Sequence, residues 1–401
     1  MKNMVGPRDC LSPSTSGGGR ELLQLSVCIW LIAFVLDTAS AEDWKRHTID
    51  RGFDGADGVR LADFNGDQRL DIVTGWEESG LVRLYLQPTT LEALKEPWPA
   101  VTIAKSKSPE DAVPCDVDGD GRVDVVSCHE GRERKLLVHW NETSSSSSIE
   151  LLRSENWRTS SFKKLAGQAW MYATPVKLAE GRLGIVAGSK GKNATITLLV
   201  QPDDRRRALD GWEVVKLRNA GWIMSLEVTD VNLDGLDDIM FSDRKGERRA
   251  VAWLEQPSSL KGDWTEHSID SGNYEYMFLS GQEPAGFLMA TRNGVVLQSR
   301  RETNQQQWLT KGIQIPVQNG KSVAALASGQ IVITSNTIGA KPPSAGIWIW
   351  SNGAWSVIDS TVDVKFDRIE LLDIDQDGDQ DILCCEERQD LGVFWYENPG
   401  V

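Results

Sequence analysis

Four times along the chain, Asp or Asn recurs at alternate positions, and each time a short apolar run follows. The clearest copy is CDVDGDGRVDVVSC, residues 115–128, in which Asp116, Asp118, Asp120 and Asp124 crowd into one short loop. ADFNGDQRLDIV repeats the spacing with Asp63, Asn65, Asp67 and Asp71. TDVNLDGLDDIM does so with Asp230, Asn232, Asp234 and Asp238, and LDIDQDGDQDIL with Asp373, Asp375, Asp377 and Asp381. Like charges this close repel, so the pattern points to a cation that turns repulsion into coordination. Calcium takes roughly six to eight oxygens, and such a loop can supply them from its first, third, fifth and ninth side chains and its seventh carbonyl. The seventh residues are Arg69, Arg122, Leu236 and Asp379. The expectation is up to four calcium ions.

An EF-hand would need a Glu at the twelfth position and flanking helices, whereas Thr74, Ser127, Phe241 and Cys384 stand there. The runs that follow, such as DVVSC and DIVTG, read as strands, so each loop belongs in a β-hairpin. The first aspartates lie 53, 114 and 143 residues apart, near one, two and three periods of about fifty. Periods of that size mark solenoids and propellers. Units with shortened loops fill the gaps, as in PVKLAEGRLGIVAGSKGKNATITLLVQP. Trp44, Trp98, Trp157, Trp212, Trp264, Trp308 and Trp355 each open a strand-like run, which gives an independent count of seven units. Four strands per unit, seven times over, predicts an all-β, seven-bladed β-propeller. Residues 44–50 are expected to complete the last blade, whose own run ends with the aromatic strand GVFWYENPG.

The Asp-x-Asp-x-Asp-Gly-x-x-Asp hairpins resemble the FG-GAP and VCBS repeats of integrin alpha subunits and of secreted bacterial proteins, from about Trp44 to the C-terminus. The resemblance implies calcium between the first and second strands of each loop-bearing blade.

Residues 22–36, LLQLSVCIWLIAFVL, form an apolar stretch that precedes Ala39-Ser40-Ala41. That is the pattern of a secretory signal, too short for a comfortable membrane span. The expected division is a leader over 1–41 and a propeller over 42–401, secreted or periplasmic, with no membrane span in the mature chain. Cys115, Cys128, Cys384 and Cys385 remain, as buried thiols or as bridges. Acidic residues outnumber basic ones, 58 to 43. An anionic protein is a poor partner for nucleic acid, and four calcium ions would offset about half of the excess.

Ligand binding is expected at the end opposite the acidic loops, where the loops into each first strand and those from second to third strand converge. Trp76, Trp170, Trp222 and Tyr276 fall there, outside the aromatic and opening strands. Flat rings of this kind stack on sugars and other amphipathic ligands, and Arg132 and Arg244 lie in the same loops. The leading expectation is a secreted, calcium-stabilised module that binds an extracellular ligand, a polysaccharide or a protein. A carbohydrate lyase or dehydratase is one alternative, with His129, Glu130 and Asp111 as its candidate acid–base groups, and a protein-interaction module is the other.

Overall fold

The computed structural model describes residues 44–272, 274–282, 286–301, 308–336, 339 and 346–400. The leader segment lies outside these residues. Strands numbered in chain order make seven four-stranded antiparallel sheets. Blade 1, for example, consists of β2 (Ala56–Ala62), β3 (Asp71–Trp76), β4 (Leu81–Tyr85) and β5 (Ala100–Lys105). The first strands of blades 2 to 7 are β6 (Pro109–Cys115), β10 (Ala169–Lys177), β14 (Ile223–Thr229), β18 (Tyr276–Gln282), β22 (Gly320–Ala325) and β26 (Phe366–Leu372). Each contacts the next in order, and β26 contacts β2, so the first strands line the axis of a closed ring. The seven-bladed propeller read from the sequence is what forms.

Closure follows the expected route. β1 (Lys45–Asp50) pairs antiparallel with β28 (Gly392–Glu397), with Lys45 opposite Glu397 and His47 opposite Trp395. This gives blade 7 its outer strand and removes a free sheet edge.

The second strands, such as DIVTGW and DVVSCH, are buried along their whole length. Each is packed on both faces by neighbouring blades, which is why hydrophobic alternation is weak in these runs. The outer strands, such as KRHTID, are half-exposed. Tryptophan joins the two layers. Trp98, Trp157 and Trp212 are buried at or just before outer strands, and each indole N–H donates to a carbonyl of the preceding turn, on Leu94, Leu151 and Arg206. Cys115, Cys128, Cys384 and Cys385 are buried and unbridged.

Every first strand carries a register shift near its start, between Asp57 and Arg60 in blade 1 and between Pro109 and Asp111 in blade 2, with counterparts in the other five. Such bulges bend a strand and re-aim its side chains. Deeper along the axis the ring is filled. Arg368 of blade 7 reaches Glu227 of blade 4 at 3.4 Å, and the rings of Tyr172 and Phe278, from blades 3 and 5, meet at 5.2 Å. A cavity of about 230 Å³ lined by Glu227, Arg368 and Glu370 remains.

Candidate functional site

The acidic loops link each first strand to its second, with Ala62 paired to Asp71 at the loop end and Ala56 to Trp76 at the other. Within the loops the carboxylates accept hydrogen bonds from the nearby backbone. Asp116 Oδ1 takes the N–H groups of Gly119 (2.7 Å) and Asp120 (3.1 Å), and its Oδ2 takes that of Gly121 (2.9 Å). Asp63 does the same with Gly66, Asp67 and Gln68, while Asp230 and Asp373 each hold two loop N–H groups. At the fifth position, Asp67, Asp120, Asp234 and Asp377 accept from the N–H of Arg69, Arg122, Leu236 and Asp379. Asn65 and Asn232 stand in for the third carboxylate and accept from the N–H of the fifth residue.

The ninth aspartate has a second task. Asp71 Oδ2 accepts from Phe64 N–H and Oδ1 from Gln87 N–H, both at 2.9 Å, which ties the loop to the end of the third strand. Asp124 clamps Val117 to Asn141, Asp238 clamps Val231 to Gln256, and Asp381 clamps Ile374 to Asn398. Burial pushes Asp71, Asp124 and Asp381 up to about 7 and Asp238 to about 6.

The loops suit a cation to different degrees. Oxygens of Asp116, Asp118 and Asp124 lie within 4.8 Å of one another, as do those of Asp373, Asp375 and Asp381. Asp375 and Asp379 each keep one buried side-chain oxygen without a hydrogen-bond partner. In the blade 2 loop, Arg207 pairs with Asp118 and lies 3.4 Å from Asp120.

At the opposite end, the structure brings some of the expected ligand-face residues together and buries others. Trp76 is the last residue of β3, fully buried, with its N–H donating to Tyr85 Oη at 2.8 Å. Trp170 is buried with its N–H on the Leu165 carbonyl, and buried Tyr276 donates to Asp270 Oδ1. These three rings pack within and between blades and offer no face to a ligand. Trp222 differs. It is half-buried, and the cationic groups of Lys190, Arg244 and Lys245 lie 4.5, 4.6 and 4.7 Å from its ring centroid. Its backbone N–H donates to buried Asp243, which also holds Arg218 at 2.7 Å. The preceding Gly221 is required, because a Cβ there would lie 1.7 Å from the Lys245 carbonyl oxygen. Arg132 is exposed, and Arg244 pairs with Glu275 at 3.2 Å.

The three acid–base candidates are engaged separately. His129 is fully buried, with Nδ1 2.8 Å from the Lys107 carbonyl oxygen and Nε2 2.7 Å from Ser127 Oγ. Ser127 Oγ also bonds His139 Nε2, and His139 Nδ1 bonds Thr159. Because the Lys107 carbonyl can only accept, the hydroxyl and ring protons along this relay are all assigned. Burial lowers His129 to about 4 and His139 to about 3. Asp111 is held bidentately by Arg60 at 2.8 and 2.9 Å. Glu130 is paired with Lys190.

Carboxylates nevertheless gather at the mouth of the channel. Asp57, Glu110 and Asp367 each stand six residues before the first aspartate of their loop, and Glu77, Glu130 and Glu387 each stand fourteen after it. In blade 4 the same two positions hold Met224 and Arg244. Blades 7, 1 and 2 therefore form an acidic arc, whereas blades 3 and 4 form a cationic one around Trp222. Lys321 reaches Asp367 at 3.0 Å and Glu387 at 3.3 Å, and Lys365 also pairs with Glu387. Burial drives Glu110 up to about 7. Asp57 is raised well above the usual carboxylate range, first by burial and then by the facing carboxyl of Asp367, while Lys321, the hydrogen bond with Asp57 and Lys365 together outweigh burial and hold Asp367 at about 2. Asp57, Lys321, Asp367 and Glu387 escaped notice, although the repeated positions carried the signal for three of them.

The FG-GAP-like repeat family model matches residues 63–127, from the acidic loop of blade 1 to that of blade 2. The chain is a seven-bladed propeller that carries an FG-GAP-like repeat match in its first two blades. No curated protein sequence matches it significantly. Among solved structures, the propeller is similar to YCF48 bound to D1 peptide, with a TM-score of 0.54 at 9% identity over 88% of this chain and 94% of that one. Virginiamycin B lyase from Staphylococcus aureus, in a catalytically inactive form with quinupristin, gives 0.53 at 11% identity over 88% and 98%. BBS1N in complex with ARL6DN gives 0.52 at 9% identity over 88% and 96%. At these identities the likeness is one of fold.

Proposed function

We propose that this propeller is an exported binding module that takes a polar, anionic extracellular ligand, an acidic carbohydrate, at the channel mouth, without turning it over. The reading rests on Trp222, the one ring of the expected arc that is partly open, flanked by Lys190, Arg244 and Lys245. A flat apolar surface edged by cations suits a sugar ring bearing carboxylates or sulfates. Export is supported by the apolar stretch of residues 22–36 and the small residues after it. Calcium in the acidic loops would neutralise their carboxylates and hold the hairpins, with the Asp116 and Asp373 loops best suited by their convergent oxygens. At a hundred times its dissociation constant, each ion would add about 2.7 kcal/mol to stability.

Binding of polyuronates, sulfated glycans and neutral glycans to the purified protein tests the reading. Anionic glycans should bind, and Lys245→Ala with Trp222→Ala should weaken them by about 2 kcal/mol, the scale of a hot-spot contact. Equal binding by the double variant, preference for neutral glycans, or turnover of a polyuronate would overturn it.

A further inference from the structure

Beyond that reading, we infer that the channel mouth is a binding site for a hard divalent cation, held by Asp57, Glu77 and Glu387 at the junction of blades 7 and 1. The site is separate from the acidic loops and lies at the other end of the same hairpins.

Oxygens of Asp57, Glu77 and Glu387 lie within 4.8 Å of one another, and Glu77 belongs equally to a second such group with Glu110 and Glu130. Metal–oxygen distances of roughly 2.4 Å let one calcium-sized ion reach ligands separated by up to twice that length. A cluster of acids does not by itself make a site, but Asp57 adds an independent observation. The residue is 1% exposed, and both carboxylate oxygens are buried with no nitrogen or hydroxyl donor, facing another carboxyl, that of Asp367. The hydroxyl of Tyr172, fully buried nearby, also lacks a hydrogen-bond partner. Burying polar groups without partners is costly, and a cation seated against Asp57 would supply what the protein does not.

The charge balance agrees. The carboxylates of Asp57, Glu77, Glu110, Glu130, Asp367 and Glu387 face only three lysines, Lys190, Lys321 and Lys365. Glu130 is neutralised by Lys190, and Glu387 and Asp367 share Lys321. No ion pair reaches Asp57, Glu77 or Glu110 among the described residues, and what faces Asp57 at hydrogen-bonding range is another acid, Asp367. An all-oxygen donor set favours calcium, magnesium or manganese over softer ions. Glu77 is only half-buried, which leaves an approach from solvent.

The test is a count of ions by elemental analysis, after dialysis of the purified protein against calcium, magnesium or manganese alone. Glu77→Gln and Asp57→Asn, each folded by near-ultraviolet dichroism, should hold one ion fewer per chain than the parent. Asp116→Ala should lose a different ion, so that combining it with Glu77→Gln removes two. In chelator, Asp57→Asn should melt above the parent, because the facing carboxyl pair is relieved. An unchanged count in both mouth variants overturns the site and leaves Asp57 and Asp367 as a proton-sharing pair. If Asp57→Asn fails to fold, Glu77→Gln decides alone, since its side chain lies outside the core. Glycan binding plays no part in the count, so failure of the ligand reading and failure of this one are distinguishable.

Discussion

Two sets of carboxylates sit at opposite ends of the same hairpins, and they are stabilised in opposite ways. In the loops, Asp116 accepts N–H groups from residues three to five places on, and Asp124 clamps one loop N–H and one from the end of the third strand. At the mouth, Asp57 and Glu110 are as deeply buried, yet it is lysine side chains that offset the cluster. Backbone donors can answer the loop charges because those charges lie beside the turns that expose N–H groups. Asp57, Glu110 and Asp367 project from bulged first strands, and Glu77, Glu130 and Glu387 directly follow second strands, away from the turns that build the acidic loops. Loop acidity therefore builds the fold, whereas mouth acidity strains it and marks a place for a ligand.

That contrast is most severely tested by the ninth-position clamp. Asp381→Ala would leave the N–H groups of Ile374 and Asn398 without acceptors, at a cost of about 2 to 4 kcal/mol. Urea denaturation in chelator would show the loss without any contribution from calcium. A loss below about 1 kcal/mol would mean that the loops depend on metal rather than on the backbone.

The histidine relay of blade 2 belongs to neither set, and its contribution can be subtracted. His139 is held at about 3 in the fold by burial and then by His129, below the unfolded value of about 6.5. Its contribution is complete above that unfolded value and is lost as pH falls towards 3. Between pH 6 and 4, the stability of His139→Gln should depend less steeply on pH than that of the parent, by up to about 1.4 kcal/mol per pH unit. Parallel slopes would show that the relay takes up a proton without cost.

The smallest effect has the opposite sign. In chelator, Asp57→Asn should stabilise the fold by roughly 1 kcal/mol, since it removes one of two facing buried carboxyls. Destabilisation by a similar amount would place Asp57 with the structural carboxylates.

The seven blades and their closure were legible because each unit repeats local signals: a tryptophan at the outer strand, an acidic or shortened loop, an aromatic third strand. The loop carboxylates and their spacing were legible for the same reason. The mouth was less so, since Asp57, Glu77 and Glu387 are brought together only when blade 7 meets blade 1. The aromatic rings misled in three of four positions. Trp76 and Trp170 begin or end strands whose side chains turn into the inter-blade core, as does Tyr276, and residue type alone does not reveal that direction. Trp222 was distinguishable only by the cations around it, which come from blades 3 and 4.

The most direct measurement is an anomalous-scattering map from crystals of the protein equilibrated with manganese. The account predicts a peak at the mouth, within bonding distance of Asp57, Glu77 and Glu387, in addition to any at the Asp116 and Asp373 loops. Peaks at the loops with none at the mouth would contradict it.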